Sequence, residues 1–368
     1  MQTSPTSERQ ADRGLSAAVD GMAFHEWTTM AELAPYLGKG WRDLLTALPP
    51  RQVEPQPLYR SPLGTKLDAA YGEEEYDSFQ RLLLDAWSPD RVVLGYDRSI
   101  LLTASASFYA AEEIIRAINT WTAEAWLARD ERLHGLILVS GSLPEVAAQE
   151  IRRFARNDRM VGVAIGANAL NLTFGHPVYH PIFEAAAEEG LPVVIQTGSD
   201  LAANLLTPPI AGGQSSSYGE YKTLNTQSHM SHVAAMILQG LFEKYADLRV
   251  LLVGGGLTWV PGEIWRLDYA YRFNHQSTPW LRRLPSAYFK ESIRVSTYEM
   301  ERSLSNDALA AVLSAAPWMR SSLVYTSGFP NRDCLAPDDV ASRLPVDWVD
   351  DVVRNNALDL FRWPEGNL

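Results

Sequence analysis

Two stretches of this sequence carry side chains that can move protons near neutral pH. His25 is followed at once by Glu26 and Trp27, and His229 and His232 stand three apart in the run Asn225-Thr226-Gln227-Ser228-His229-Met230-Ser231-His232. An imidazole serves as acid or base because it titrates near neutrality, and a carboxylate such as Glu26 is its natural partner. Spacing of three at a helix start puts His229 and His232 on roughly one face. Each feature also has an ordinary reading. His25 reads equally as a residue satisfied by a neighbour, and Glu26 as a solvated or salt-bridged carboxylate. The other reading of the histidine pair is a surface helix capped by Ser228 or Ser231. His134, His176, His180 and His275 fall at strand starts, helix entries or outer loops and read as structural. Trp27, Trp259 and Tyr298, with Glu299 beside the last, belong to a chain with eleven tryptophans. Singly they read as core; together they suggest the wall of a pocket for an apolar or planar molecule. Gly254 to Gly256 lacks the rest of a phosphate-binding fingerprint. Cys334, the one cysteine, reads as a packed thiol.

These residues need a scaffold, and the pattern around them is that of βα units. Short runs rich in Val, Ile and Leu alternate with amphipathic stretches. Strands are expected at Arg91 to Gly95, His134 to Ser140, Met160 to Ile165, Pro192 to Thr197, Leu248 to Val253, Ile293 to Thr297 and Leu323 to Thr326, with an opening strand near Gly21 to Phe24. Helices are expected over Ala110 to Leu127, Pro144 to Arg156 and His180 to Glu189. Eight nearly continuous apolar strands fit an α/β fold, a closed (β/α)₈ TIM barrel, whose strands are buried on both faces. Residues 1–19 read as a disordered lead-in and 20–368 as one barrel domain. The Pro-, Gly- and Ser-rich segment 201–221 follows the fifth strand and reads as a lid over the C-terminal face.

Composition narrows the partners. The chain has 368 residues, of which 46% are hydrophobic and 21% charged, enough for a large core. A formal charge of -12 and a pI near 5.1 argue against nucleic acid and anionic membranes. A small molecule is the expected ligand. The first residues lack the apolar core of a secretory signal, and every hydrophobic run is soon cut by charge, Pro or Gly, so a cytoplasmic protein is expected. A homodimer through helix faces is the expected assembly.

With its strands in order, the chain resembles the amidohydrolase-related family, whose members include decarboxylases and hydrolases of small carboxylic acids. Ile118 to Gly135 with Pro144 to Ala155 resembles the third barrel unit, and His176 to Gly198 the fifth. Gly240 to Asp268 resembles the sixth, and Val324 to Asp333 the eighth. The resemblance implies a divalent metal at the C-terminal mouth, activating water or polarising a substrate oxygen. It places ligands at positions that have changed in this chain. The first-strand pair falls on Ala23 and His25, and the histidine ending the fifth strand is Gln196. A His or Glu of the sixth unit is Gly254. In the eighth, the family's Ser-Asp-Tyr/Phe-Pro-His reads Ser327-Gly328-Phe329-Pro330-Asn331. Five losses at one constellation imply a site with no metal and no other cofactor.

A metal-independent enzyme is therefore expected. It would catalyse cyclisation, isomerisation, dehydration or decarboxylation of a small organic molecule by acid-base and proximity effects. The candidate catalytic residues are His25, Gln196, His229, His232 and Asn331. The candidate substrate contacts are Glu26, Trp27, Trp259, Tyr298, Glu299 and Ser327. A non-catalytic protein binding a small molecule or a related subunit is the alternative. A third reading keeps a metal hydrolase on His25, one of His229 and His232, and a loop carboxylate.

Overall fold

Runs of Val, Ile and Leu short enough for one strand, each followed by an amphipathic helix, wind into eight parallel strands. The computed structural model describes residues 17–47, 75–166, 169–197, 213, 215, 217–331 and 333–363. The strands are β1 Val19–His25, β2 Arg91–Tyr96, β3 Leu133–Leu138, β4 Met160–Gly166, β5 Val193–Gln196, β6 Val250–Val253, β7 Ile293–Ser296 and β8 Leu323–Val324. They lie in chain order in one sheet, each bonded to the next. The segment that continues β8 meets β1 through Gly21 N–H to Tyr325 O at 2.9 Å and Gly328 N–H to Met22 O at 3.1 Å. The sheet thereby closes into a barrel, and every strand residue is buried, as strands covered on both faces require.

The principal helices around it are α1 Phe108–Trp121, α2 Pro144–Phe154, α3 His180–Glu188, α4 Tyr218–Leu224, α5 Thr226–Leu238, α6 Trp259–Asn274, α7 Pro285–Ser292 and α8 Asn306–Ala315. The expected strands and helices are present, most with ends moved by one to three residues. β1 begins at Val19, inside the stretch read as lead-in, and the rest of that lead-in lies outside the described residues, apart from the two that precede the strand. Most of the expected lid, 201–212, 214 and 216, is likewise outside them. Its last residues are helical: Ser217 Oγ accepts the Glu220 N–H at 3.2 Å and starts α4, a side-chain cap. Among the described residues no helix is long and apolar enough to cross a membrane.

One irregularity decides what faces the barrel axis. In the β1–β2 ladder Asp20 pairs with Val92 but Ala23 with Leu94, so β1 holds one extra residue there. Such a bulge shifts every later side chain to the other face. The Met22 sulfur fills the space where a Cβ on Gly95 would stand, 1.8 Å from that point. The Phe24 ring meets that of Tyr298, beyond β7, edge-on at 5.6 Å between centroids. The inward pair on β1 is therefore Met22 and Phe24, while His25 is turned outward.

Candidate active site

His25 lies between the barrel and α1. Its Nδ1 donates to Gly95 O at 2.8 Å, and Thr122 Oγ1 lies 2.8 Å from Nε2. The ring stacks on Trp121, with centroids 5.4 Å apart and planes 1° apart, and meets Trp126 edge-on. Thr122 opens a π turn, Thr122–Trp126, that continues α1. Burial pushes the imidazole down to about 4, so it is neutral and its two nitrogens are occupied. The expected catalytic role is corrected by the bulge: His25 does not reach the mouth.

Several other sequence candidates are absorbed by structure. Glu26 accepts from the backbone N–H of Arg98 and Ser99, both at 2.8 Å, and from Ser99 Oγ. Trp27 Nε1 donates to the same hydroxyl at 3.0 Å. Burial raises Glu26 to about 7, and this pair holds the loop after β2 rather than a substrate. Ser327 closes the barrel seam. Its N–H donates to Asp20 Oδ1 at 2.8 Å, and its Oγ accepts from Phe329 N–H at 3.0 Å. His232 accepts the Phe174 N–H at 3.2 Å and stacks on that ring at 4.4 Å. Burial lowers it to about 3; it supports the chain after β4 instead of the mouth. The helical spacing of His229 and His232 therefore does not make them a catalytic pair.

His229 is nearer the chemistry. Its Nε2 donates to Val253 O at 3.1 Å at the end of β6, and it stacks on Trp259, 6.4 Å away with planes 19° apart. Trp259 Nε1 is in turn bonded to Gly256 O at 3.1 Å. His229 Nδ1 is buried without a partner. Burial lowers the ring to about 4. Gln196 closes β5 opposite Gly166 and Val253 in register, and its Oε1 is likewise buried without a partner.

At the ends of β7 and β8 the structure assembles a polar group that sequence reading recovers in part. Tyr298 OH donates to Asp333 Oδ1 at 3.2 Å and accepts from Asn331 Nδ2 at 3.1 Å. Lys222 of α4 bonds to Glu299 Oε1 and, at 3.1 Å, to Asp333 Oδ2. Glu299 Oε2 accepts from Gly255 N–H at 2.8 Å and from Asn225 Nδ2 at 3.2 Å. These contacts hold Glu299 at φ +64, a conformation rare for a residue with a side chain and found where surroundings over-determine it. Burial, with the carboxylates of Glu299, Asp333 and Asp97, pushes the Tyr298 phenol well above its ordinary value. Tyr298, Glu299 and Asn331 were legible in the sequence. Lys222, Asn225 and Asp333 are not marked as site residues by the sequence: nothing local distinguishes a lysine or asparagine in or beside a short helix, or an aspartate just past the eighth strand. Cys334 follows that aspartate. That thiol is held protonated, since burial pushes it up to about 12.

The same geometry tests whether the residues fit a divalent metal. On β1 the inward positions are a thioether and a phenyl ring, neither a ligand for a hard cation. At Gly328, φ +67, a Cβ would stand 2.0 Å from Tyr298 Cδ2. The Tyr298 ring thus occupies the space an aspartate side chain would need. At Gly254, φ +86, a Cβ would stand 2.4 Å from Thr197 Oγ1. Among the described residues no three His, Cys, Asp or Glu side chains are grouped so that they could hold a metal ion. The donor set among the described residues does not fit one.

An eight-stranded parallel barrel with its polar cluster at the C-terminal strand ends defines the class: a barrel of the amidohydrolase type. The family model described as amidohydrolase matches residues 90–363, and the chain belongs to that family. A gamma-resorcylate decarboxylase from Polaromonas sp. (strain JS666) is 25% identical over 213 residues, which is 53% of this chain and 60% of that protein. The match thus spans less than two thirds of that relative. The 5-carboxyvanillate decarboxylase from Sphingomonas paucimobilis superposes with a TM-score of 0.63 at 23% identity, covering 94% of this chain and 100% of the other. An amidohydrolase from Mycobacterium avium subsp. paratuberculosis K-10 gives 0.68 at 16% identity, with 94% and 99% covered. A dihydroxybenzoic acid decarboxylase from Polaromonas sp. JS666, solved with bound manganese, gives 0.63 at 17% identity, with 94% and 97% covered.

Proposed function

We propose that this chain catalyses a non-hydrolytic reaction of a small organic molecule, by acid-base and positioning chemistry at the β7–β8 mouth and without metal-activated water. The observation that carries this reading is the Tyr298 ring standing where a side chain on Gly328 would have to go. The charged groups meet around that tyrosine instead. Its hydroxyl, kept protonated, donates to Asp333 Oδ1 and so positions that carboxylate for proton transfer. Lys222, as an ammonium, stabilises negative charge developing on a substrate oxygen, and Asp333, the more exposed of its two carboxylate partners, takes or returns the proton. Glu299, locked by Gly255, Asn225 and Lys222, orients the ammonium.

The relatives' names support non-hydrolytic chemistry, since three of the proteins above are decarboxylases. The reactions that suit these groups are isomerisation, cyclisation, dehydration and decarboxylation. The test combines elemental analysis of protein purified without chelator with mass-spectrometric turnover of a substrate panel before and after EDTA. Turnover is expected to survive EDTA, and Asp333→Asn or Tyr298→Phe to lower kcat about 100-fold. Activity that tracks stoichiometric zinc or manganese sinks the proposal. Binding across the panel with no turnover establishes a non-catalytic binding protein.

A further inference from the structure

Helix α6 is apolar on two sides. Val260, Pro261, Ile264 and Leu267 are buried against the barrel, while Trp265, Tyr269 and Phe273 are 52%, 65% and 70% exposed. A spacing of four residues sets these three rings in one row along the helix, and those of Tyr269 and Phe273 stand 4.7 Å apart between centroids. Of the seven large hydrophobic side chains exposed among the described residues, only these three share an element. The outer face of a surface helix is ordinarily polar. This row instead presents about 400 Å² of aromatic surface to water, the size at which an exposed patch marks an interaction site.

The segments of chain outside the described residues join the barrel elsewhere. Segment 48–74 returns beside Trp126, which the Tyr76 ring meets edge-on, and 364–368 follows Trp363, which lies against His134 of β3. Both points belong to the side of β2 and β3, four strands around the barrel from β6 and β7. Residues 1–16 lead into β1, three strands from β6. Segment 198–212 leaves β5 at the mouth, but α6 starts at that mouth and runs away from it, so Phe273 lies about 21 Å down its axis from Trp259.

We infer that a second copy of this chain covers the row, α6 against α6. The row is symmetric about Tyr269, with Trp265 four residues before it and Phe273 four after. A two-fold axis at Tyr269 lays the two helices antiparallel and sets Trp265 of each copy against Phe273 of the other, the self-complementary contact of an isologous dimer. Charge agrees with this pairing. A chain of formal charge -12 repels its copy at long range, but α6 carries Glu263 and Asp268 against Arg266 and Arg272 and is locally balanced. The antiparallel arrangement also brings Arg272 of each copy to the side of Asp268 of the other, within one turn. The two rows together remove about 800 Å² of aromatic surface from water, about half of what a stable interface buries, leaving the other half to the residues that flank them.

The experiment is sedimentation velocity of the full-length protein from about 1 to 100 μM. It compares wild type with Tyr269→Glu and with Tyr109→Glu, a control at an exposed ring on α1. Wild type and control are expected at twice the chain mass of 40.9 kDa. Tyr269→Glu is expected to raise the dimer dissociation constant about 100-fold or more, since the two-fold axis applies the substitution twice at the centre of the contact. Tyr269→Cys reads the geometry: its thiols meet at the axis, so mild oxidation should join two chains by a disulfide that wild type, with Cys334 half-buried, does not form. A monomer across the whole range, as when segment 198–212 of the same chain covers the row, overturns the inference. So does a dimer that Tyr269→Glu leaves intact or that Tyr269→Cys fails to cross-link.

Discussion

At Gly328 a single missing side chain carries the largest chemical consequence. A glycine in a ligand position is reversible in principle, because adding a carboxylate costs one substitution. Here the way back is blocked, since φ is +67 and Tyr298 Cδ2 stands 2.0 Å from the would-be Cβ. Gly328→Asp is therefore expected to destabilise the fold by about 3 kcal/mol or more, through strain and overpacking together, and to gain no manganese affinity. Thermal unfolding with and without MnCl₂ measures both; a variant that binds manganese and unfolds at the wild-type temperature contradicts the account.

Two contacts between elements carry predictions of their own. The π turn after α1 places the Thr122 hydroxyl on His25 Nε2, and Thr122→Val leaves that buried nitrogen bare. The expected cost is about 1–3 kcal/mol of stability with catalytic rate unchanged, read by urea denaturation beside an activity assay. A loss of rate at unchanged stability would return His25 to the active site. Across the barrel seam, Asp20 Oδ1 accepts from Met22 N–H and Ser327 N–H, and burial raises its carboxyl from 3.8 to about 7. A raised folded value stabilises below the unfolded value and is lost as pH rises through the folded one. Asp20→Asn keeps the acceptor and removes the titration. Relative to wild type it is expected to gain on the order of a few kcal/mol between pH 4 and pH 8. Urea midpoints at both ends of that range decide it, and a constant gap shows that Asp20 is ionised in the folded chain.

For the whole molecule the buried titrating groups pull in opposite directions. His25, His134, His229 and His232 have folded values of about 4, 4, 4 and 3, so their contribution is present above pH 6.5 and lost as pH falls toward 4. Asp20, Glu26 and Glu112, all near 7, contribute below their unfolded values and lose that as pH rises through 7. Four histidines against three carboxyls leave one proton more on the unfolded chain between about pH 4.5 and 6.5. Stability should rise with pH there by only about 1.4 kcal/mol per pH unit. A slope near four times that, measured by denaturant unfolding, would mean that all three carboxyls are ionised in the native state.

The barrel was legible because burial on both faces demands runs of Val, Ile and Leu, and such runs are local. The same holds for the substitutions at Gln196, Gly254, Gly328 and Asn331, each anchored by surviving neighbours in its own strand end. What local pattern cannot carry is phase and company. The extra residue between Asp20 and Ala23 has no sequence mark, yet it turns His25 outward and Met22 and Phe24 inward. Lys222 and Asn225 from one stretch of chain and Asp333 from another, more than a hundred residues on, meet Tyr298 and Glu299 only when the barrel closes. The sequence by itself determined the scaffold and the replacement of ligand positions. Only the tertiary structure decided which side chains fill those positions and where the remaining charge gathers, because both depend on contacts between residues far apart in the chain.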